Sequence, residues 1–172
     1  MTVYTTIDSP LGELLLVGEK SATAKGGTAL ASLSMPGQRS AAVVRDDWTE
    51  DAAAFGEIVT QLRTYFEGGL THFDIEYVGG GSEFQQRVWK ALEVIPYGTT
   101  LSYGQIAERI GASRAAVRAV GTAIGANPLL VVRPCHRVIG ANGALAGYAA
   151  GLERKQRLLD LENARPAVAA SS

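Results

Sequence analysis

Residues 102–125 read Ser102-Tyr103-Gly104-Gln105-Ile106-Ala107-Glu108-Arg109-Ile110-Gly111-Ala112-Ser113-Arg114-Ala115-Ala116-Val117-Arg118-Ala119-Val120-Gly121-Thr122-Ala123-Ile124-Gly125. Ser102 followed three residues later by Gln105 has the form of a capping box, which opens a helix by satisfying its first backbone N–H groups. That helix is short and ends at Gly111. Ser113 can cap the next helix, with Val117, Val120 and Ile124 inward. This second helix ends near Gly125, before Asn127-Pro128. A short helix, a glycine turn and a second helix bearing Arg114 and Arg118 form a helix-turn-helix pattern. Many helical hairpins share it, so its meaning depends on what surrounds it.

Downstream stand Pro134-Cys135-His136-Arg137, after the apolar run Leu129-Leu130-Val131-Val132. Cys135 is the only cysteine in 172 residues, and His136 is one of two histidines. The apolar run predicts a strand whose end presents the thiol. Two readings of the pair stay open. Cys135 is a nucleophile raised to thiolate by a neighbouring base, or it is a small buried hydrophobe beside a histidine. Asn142-Gly143 predicts a tight hairpin, residues 147–151 a flexible loop, and residues 152–162 a last helix. Leu152, Gln156, Leu159 and Asn163 fall near one line of that helix, with Leu158, Leu161 and Glu162 beside it. Residues 166–172 are expected to fray.

Upstream, Ser82 with Gln85 repeats the capping-box form. The helix it opens places Phe84, Val88, Ala91 and Leu92 on one face and stops at Pro96-Tyr97-Gly98. Further back lie two strand-like segments, residues 3–7 and 13–17, joined by the turn Asp8-Ser9-Pro10-Leu11-Gly12. A third strand is expected at residues 30–33 and a loop at 34–48. Phe55, Ile58, Val59, Leu62 and Phe66 then recur at helical spacing. Asp47 with Glu50 resembles its capping box, and Gly68-Gly69 its end. Gly79-Gly80-Gly81 is the linker candidate. The expected organisation is α/β (α+β): a small sheet-plus-helix domain over residues 1–78, a linker at 79–82, and a mainly helical domain with a helix-turn-helix over 83–165.

The formal net charge of -1 hides an asymmetry. Residues 1–81 hold 5 Lys/Arg against 11 Asp/Glu, and residues 82–172 hold 11 against 6. No acid falls between Glu108 and Glu153, a stretch carrying Arg109, Arg114, Arg118, Arg133 and Arg137. A single-sign stretch points to a polyanionic partner, or to a basic surface without one. One cysteine excludes an internal disulfide framework and a cysteine-rich zinc site. No secretory signal and no apolar stretch near the ~20 residues of a membrane span is present. An intracellular, cytoplasmic protein is expected.

The quoted features occur together with Phe84-Gln85-Gln86-Arg87-Val88-Trp89, Ile95-Pro96-Tyr97-Gly98, Arg118-Ala119-Val120-Gly121, Pro134-Cys135-His136-Arg137-Val138-Ile139 and Gly147-Tyr148. From about Phe84 to Glu162 the chain resembles the O6-alkylguanine-DNA alkyltransferases, or methylated-DNA–protein-cysteine methyltransferases. The first half matches weakly, mainly at Ser9-Pro10-Leu11-Gly12. The resemblance implies a winged helix-turn-helix-like second domain. It implies a suicide transferase in which Cys135 takes the alkyl group from O6 of guanine in duplex DNA, irreversibly and once per molecule. His136 would act through a water as base, Glu162 would orient it, and Asn127 would stiffen the turn beneath. Tyr103 would help rotate the target phosphate and protonate the leaving guanine. Arg118 would fill the stack left by the flipped nucleotide, which must leave the duplex to be reached. Ser113, Arg114, Ala115, Ala119 and Thr122 would meet DNA, the small residues (with Ala116 and Gly121) allowing close approach in the minor groove. Pro134, Val138, Tyr148 and Ala149 would form the base pocket. No cofactor and no metal are implied, since the zinc of some family members has no ligands here. The partner would be lesion-bearing duplex DNA, met by a monomer, with cooperative loading left open.

Each residue also has a plainer reading. Asn127 suits a helix C-cap, Tyr103 packing, Arg118 a phosphate anchor, Glu162 a solvated helix-end charge, Trp89 core and His72 a surface loop. Two departures from the resembled pattern stand out. Arg133 replaces a small aliphatic residue, and a charge there must find solvent, a phosphate or an acid. It could lower the thiol pKa, add a phosphate contact or narrow the pocket. Ala149-Ala150-Gly151 replaces a loop often richer in glycine or serine. Two other functions remain: a cysteine hydrolase, made awkward because adjacent strand residues point opposite ways, and a non-catalytic DNA-binding module.

Overall fold

A computed structural model describes residues 1–39 and 41–166. The chain divides into two compact units, Met1–Gly79 and the remainder from Gly80.

In the first unit, β1 (Thr2–Ile7) and β2 (Leu14–Lys20) form the expected antiparallel hairpin, with Tyr4 opposite Val17. Its turn closes by paired backbone bonds between Ser9 and Gly12, each 3.0 Å. β3 (Thr28–Ser34) is longer than expected at both ends, and the short β4 (Thr49–Glu50) completes a sheet of order β3-β2-β1-β4. A register shift falls between Val17 and Gly18. Gly18 is required there, because a Cβ would sit 2.5 Å from the Ala29 carbonyl oxygen. Leu14, Leu16, Leu30 and Leu33 form the buried side of this sheet. They share the core with Phe55, Ile58, Leu62 and Tyr65 from a 3-10 turn (Ala52–Phe55) and the helix α1 (Gly56–Phe66).

Two expectations fail in this unit. Asp47 and Glu50 do not cap the helix: Glu50 is in β4, and Asp51 Oδ1 accepts from the Ala54 N–H at 3.2 Å. Tyr65, not Phe66, is the fully buried aromatic at the end of α1.

In the second unit both capping boxes form. Ser82 Oγ accepts from the Gln85 N–H at 3.1 Å, and Gln85 Oε1 accepts from the Ser82 N–H at 2.9 Å, opening α2 (Glu83–Glu93). Ser102 and Gln105 do the same at 3.1 and 2.8 Å for α3 (Tyr103–Arg109). Gly111, at φ +72°, makes the turn after α3. A 3-10 turn (Arg114–Ala116) leads into α4 (Val117–Gly125), and the Ser113 side chain makes no capping bond. Trp89 ties α2 to α4, its indole N–H donating to the Ala123 carbonyl at 2.9 Å.

A small parallel sheet flanks these helices, order β6-β5-β7, from β5 (Thr99–Ser102), β6 (Val138–Ile139) and β7 (Arg165–Pro166). α5 (Leu152–Glu162) has the expected bounds but another inner face: Lys155, Leu158, Leu159 and Glu162 are buried, while Leu152 and Gln156 are exposed. Pro166 pairs with Thr100, so the chain is still ordered where fraying was expected; residues 167–172 lie outside the described residues. Leu129 is an isolated bridge residue and residues 130–132 are a turn, not a strand. Asn142-Gly143 turns the chain, with the Gly140 N–H bonded to the Ala144 carbonyl at 2.8 Å, but no second strand follows.

The two serines separate real from apparent caps. Ser102→Ala should cost about 1 kcal/mol of stability in urea unfolding. Ser113→Ala should stay within about 0.5 kcal/mol.

Candidate active site

The segment that presents Cys135 is built from turns. Asn127, buried just past α4, staples it: Oδ1 accepts from the Leu129 N–H at 3.0 Å, and Nδ2 donates to the carbonyls of Leu129 at 3.3 Å and Arg133 at 3.1 Å. Within this staple the Val132 N–H bonds the Leu130 carbonyl at 2.8 Å around Val131, whose φ is +70°. That is a γ-turn of the rare, strained hand, at a β-branched residue that avoids it. The Cys135 N–H bonds the Arg133 carbonyl at 2.7 Å around Pro134 (φ −79°, ψ 61°), the relaxed inverse γ-turn. Backbone strain at Val131 therefore persists where the surroundings fix it, two turns before the thiol.

Cys135, His136 and Arg137 form one 3-10 turn, and all are buried. His136 and Arg137 converge on Glu162, at the end of α5 and 3 % exposed. His136 Nε2 lies 2.7 Å from Glu162 Oε2. Arg137 donates from Nε to Oε1 at 2.8 Å and from Nη2 to Oε2 at 3.0 Å, while its Nη1 donates to the Ile95 carbonyl at 2.6 Å. Burial opposes ionising this carboxyl, but the hydrogen bonds from His136 and Arg137, with the Arg137 charge, outweigh it and hold Glu162 at about 2. Burial lowers the His136 pKa below its usual value, against the pull of Glu162. The imidazole is therefore neutral at pH 7. An ionised carboxylate only accepts, so the ring proton sits on Nε2. Nδ1 is left as a bare lone pair, buried and without a hydrogen-bond partner among the described residues.

Burial pushes Cys135 up to about 11, against the opposing pull of the Asn127 side chain, Lys155, a backbone hydrogen bond and Arg133. At rest it is a thiol and a poor nucleophile.

Tyr103, the first residue of α3, donates its hydroxyl to the Ala146 carbonyl. Burial and the nearby Cys135 raise its pKa. Lys155 of α5, 1 % exposed, donates to the Gly147 carbonyl at 3.0 Å and lies 6.0 Å from the Tyr103 ring centre. Burial brings its ammonium down to about 8. Lys155 was not singled out from sequence, and Arg137 was named only within its motif and the acid-free stretch, with no role assigned. The signal for Lys155 was its place three, four and seven residues before Leu158, Leu159 and Glu162, hidden inside the polar run Arg154-Lys155-Gln156-Arg157.

Ser113, Arg114, Ala115, Arg118, Ala119 and Thr122 are all exposed, along the 3-10 turn and one side of α4. Of the five arginines in the acid-free stretch, Arg133 and Arg137 are buried against acids, so the basic surface is Arg109, Arg114 and Arg118. Pro134 and Val138 are buried on either side of the 3-10 turn, and Val138 pairs with Leu101. Tyr148 and Ala149 are half-buried in the segment before α5. Among the described residues no three of His, Cys, Asp and Glu gather as a metal site, and no helix is long and apolar enough to cross a membrane.

The Glu162 carboxylate has a stability consequence. Its pKa is depressed on folding, so its contribution is complete above the ordinary value of 4.5 and is lost as the pH falls from there toward about 2. The loss should be on the order of 3 kcal/mol in urea unfolding across that window. Glu162→Gln should remove most of that slope.

Comparison with known proteins bears on both units. Residues 83–164 match the family model for the 6-O-methylguanine DNA methyltransferase DNA binding domain, and residues 2–77 that for its ribonuclease-like domain. The chain is 52% identical over 165 residues to the methylated-DNA–protein-cysteine methyltransferase of Mycobacterium bovis, covering 96% of this chain and 94% of that one. It is 54% identical over 162 residues to that of Mycolicibacterium paratuberculosis, covering 94% and 93%. The crystal structure of Mycobacterium tuberculosis OGT in complex with DNA superposes with a TM-score of 0.82 at 52% identity, covering 93% of this chain and 92% of that one. With both units matched and more than half of the aligned residues shared with such relatives, this chain belongs to the methylated-DNA–protein-cysteine methyltransferase family.

Proposed function

We propose that this protein repairs duplex DNA directly, moving the alkyl group from O6 of guanine onto Cys135 Sγ, once per molecule. The observation that carries this is the His136 ring. Its Nε2 proton is fixed on Glu162 and its buried Nδ1 is free to accept a proton, beside a thiol that burial keeps protonated. A water between Nδ1 and Sγ takes the thiol proton as the base does its work. The thiolate attacks the alkyl carbon, a C–S bond forms as the C–O6 bond breaks, and the electron pair leaves with guanine. Tyr103 supplies the proton that the leaving base needs. The product is a thioether with no leaving group to release, so the protein is spent after one event.

The exposed basic side of α4 supports the docking half of this reading. Phosphate contacts from Arg109 and Arg114 supply affinity. Ala115, Ala119 and Thr122 are short enough to admit the minor groove. Arg118 takes the place of the flipped nucleotide, and Pro134, Val138, Tyr148 and Ala149 receive the base. Asn127 holds the turn beneath. We assign these roles to residues 83–165, joined by residues 79–82 to a domain of 1–78, in a cytoplasmic monomer.

A duplex oligonucleotide carrying O6-methylguanine tests the proposal. The expected outcome is a gain of one methylene unit on the Cys135 peptide, stoichiometric and without turnover. Binding without mass gain would leave a lesion-binding module, and repeated turnover a hydrolase; either result overturns transfer. Cys135→Ala should abolish transfer and keep DNA affinity in a binding titration. His136→Ala should slow single-turnover transfer by about 10²–10⁴-fold. Because the His136 pKa lies below its usual 6.5, wild-type transfer should survive into acid below that value before His136 protonates and the rate falls. Arg118→Ala should slow reaction with duplex more than with free alkylguanine base, measured as paired rate constants.

A further inference from the structure

Arg133 is a cation directly after the strained turn at Val131 and two residues before Cys135, and its side chain is only 10% exposed. It is held from three directions. Nε donates to Glu93 Oε2 of α2 at 3.0 Å. The guanidinium lies 4.8 Å from the centre of the Trp89 ring. Nη1 donates to Asn127 Oδ1 at 3.3 Å. Burial and the Glu93 pair leave it no phosphate to meet, and its packing on α2 accounts for its bulk.

We propose that Arg133 is a positioning residue for alkyl transfer, acting through Asn127 on the Cys135 sulfur. The inference rests on the transfer reading above. A guanidinium has only donors, so its bond to Asn127 fixes which end of the amide is the oxygen. The NH₂ end is then locked onto the Leu129 and Arg133 carbonyls, and the Arg133 carbonyl also accepts from the Cys135 N–H at 2.7 Å, so the amide sets where the sulfur sits. The same cation also attracts a thiolate forming at Cys135, and burial leaves that attraction little screened. The charged and titratable groups around the sulfur are Lys155, Arg133, Tyr103 and His136. Arg133 is the one among them wired through the amide.

The test follows Cys135, the only cysteine, in the full chain by two reactions: methyl transfer from lesion duplex, and methylation by iodomethane, which needs no DNA. Both rates are taken across pH for wild type, Arg133→Met and Arg133→Lys, with urea midpoints alongside. Arg133→Met should react about tenfold more slowly at neutral pH in both assays, a loss the size of one charge-assisted hydrogen bond. Its alkaline rise should move to higher pH, and Arg133→Lys should recover part of both. Unchanged pH profiles, or a loss uniform across pH that tracks the urea midpoint, would overturn it. Should Arg133→Met fail to fold, Glu93→Gln serves: the loosened guanidinium should give a smaller shift in the same direction, and no shift overturns the proposal. Failure of wild-type transfer with an intact iodomethane shift would count against the repair reading alone.

Discussion

One buried carboxylate organises the catalytic end of this molecule. Glu162 accepts one hydrogen bond from His136 and two from Arg137, at 2.7 to 3.0 Å. A carboxylate taken out of water survives only if its lone pairs are filled by charge-assisted donors. Arg137 supplies the compensating charge, so His136 does not have to. The imidazole can then stay neutral and still be oriented. Without Arg137, the ring would be drawn toward the imidazolium and could not accept a proton.

The same cluster fixes the backbone. α5 brings Glu162, β6 follows the 3-10 turn that carries Cys135, and β5 pairs with both β6 and β7. The carboxylate therefore bonds one side of the thiol segment, while Asn127 staples the other. Between them Val131 is held at φ +70°. Strain of this kind is sustained only where neighbouring contacts over-determine the chain.

Much of this was legible in sequence where the determinants are local. The capping boxes at Ser82 and Ser102 need only residues three apart, and both form. The exposed side of α4 follows from helical spacing alone. Distant partners were not legible. Glu162 and His136 are 26 positions apart, and Arg133 and Glu93 are 40 apart. The acid-free stretch suggested five arginines facing a polyanion, yet two of them are buried and paired with acids, Arg133 with Glu93 and Arg137 with Glu162. The run at residues 129–132 is apolar because it is buried, and apolar composition does not separate a strand from a packed turn. For α5, the choice between two neighbouring lines was set by Lys155 reaching backbone carbonyls, which hydrophobic periodicity does not encode. The family resemblance carried Glu162 and Asn127 into the site. Their geometry now supplies a physical reason for each.

The central claim is that ionised Glu162 locks His136 as the neutral Nε2–H tautomer, leaving Nδ1 as the base. With only His136 and His72 in the chain, nitrogen-15 NMR of the imidazoles reads this directly. The account predicts a neutral His136 ring protonated on Nε2 at pH 7, remaining so below the ordinary imidazole pKa. A ring protonated on Nδ1, or an imidazolium at neutral pH, would contradict it.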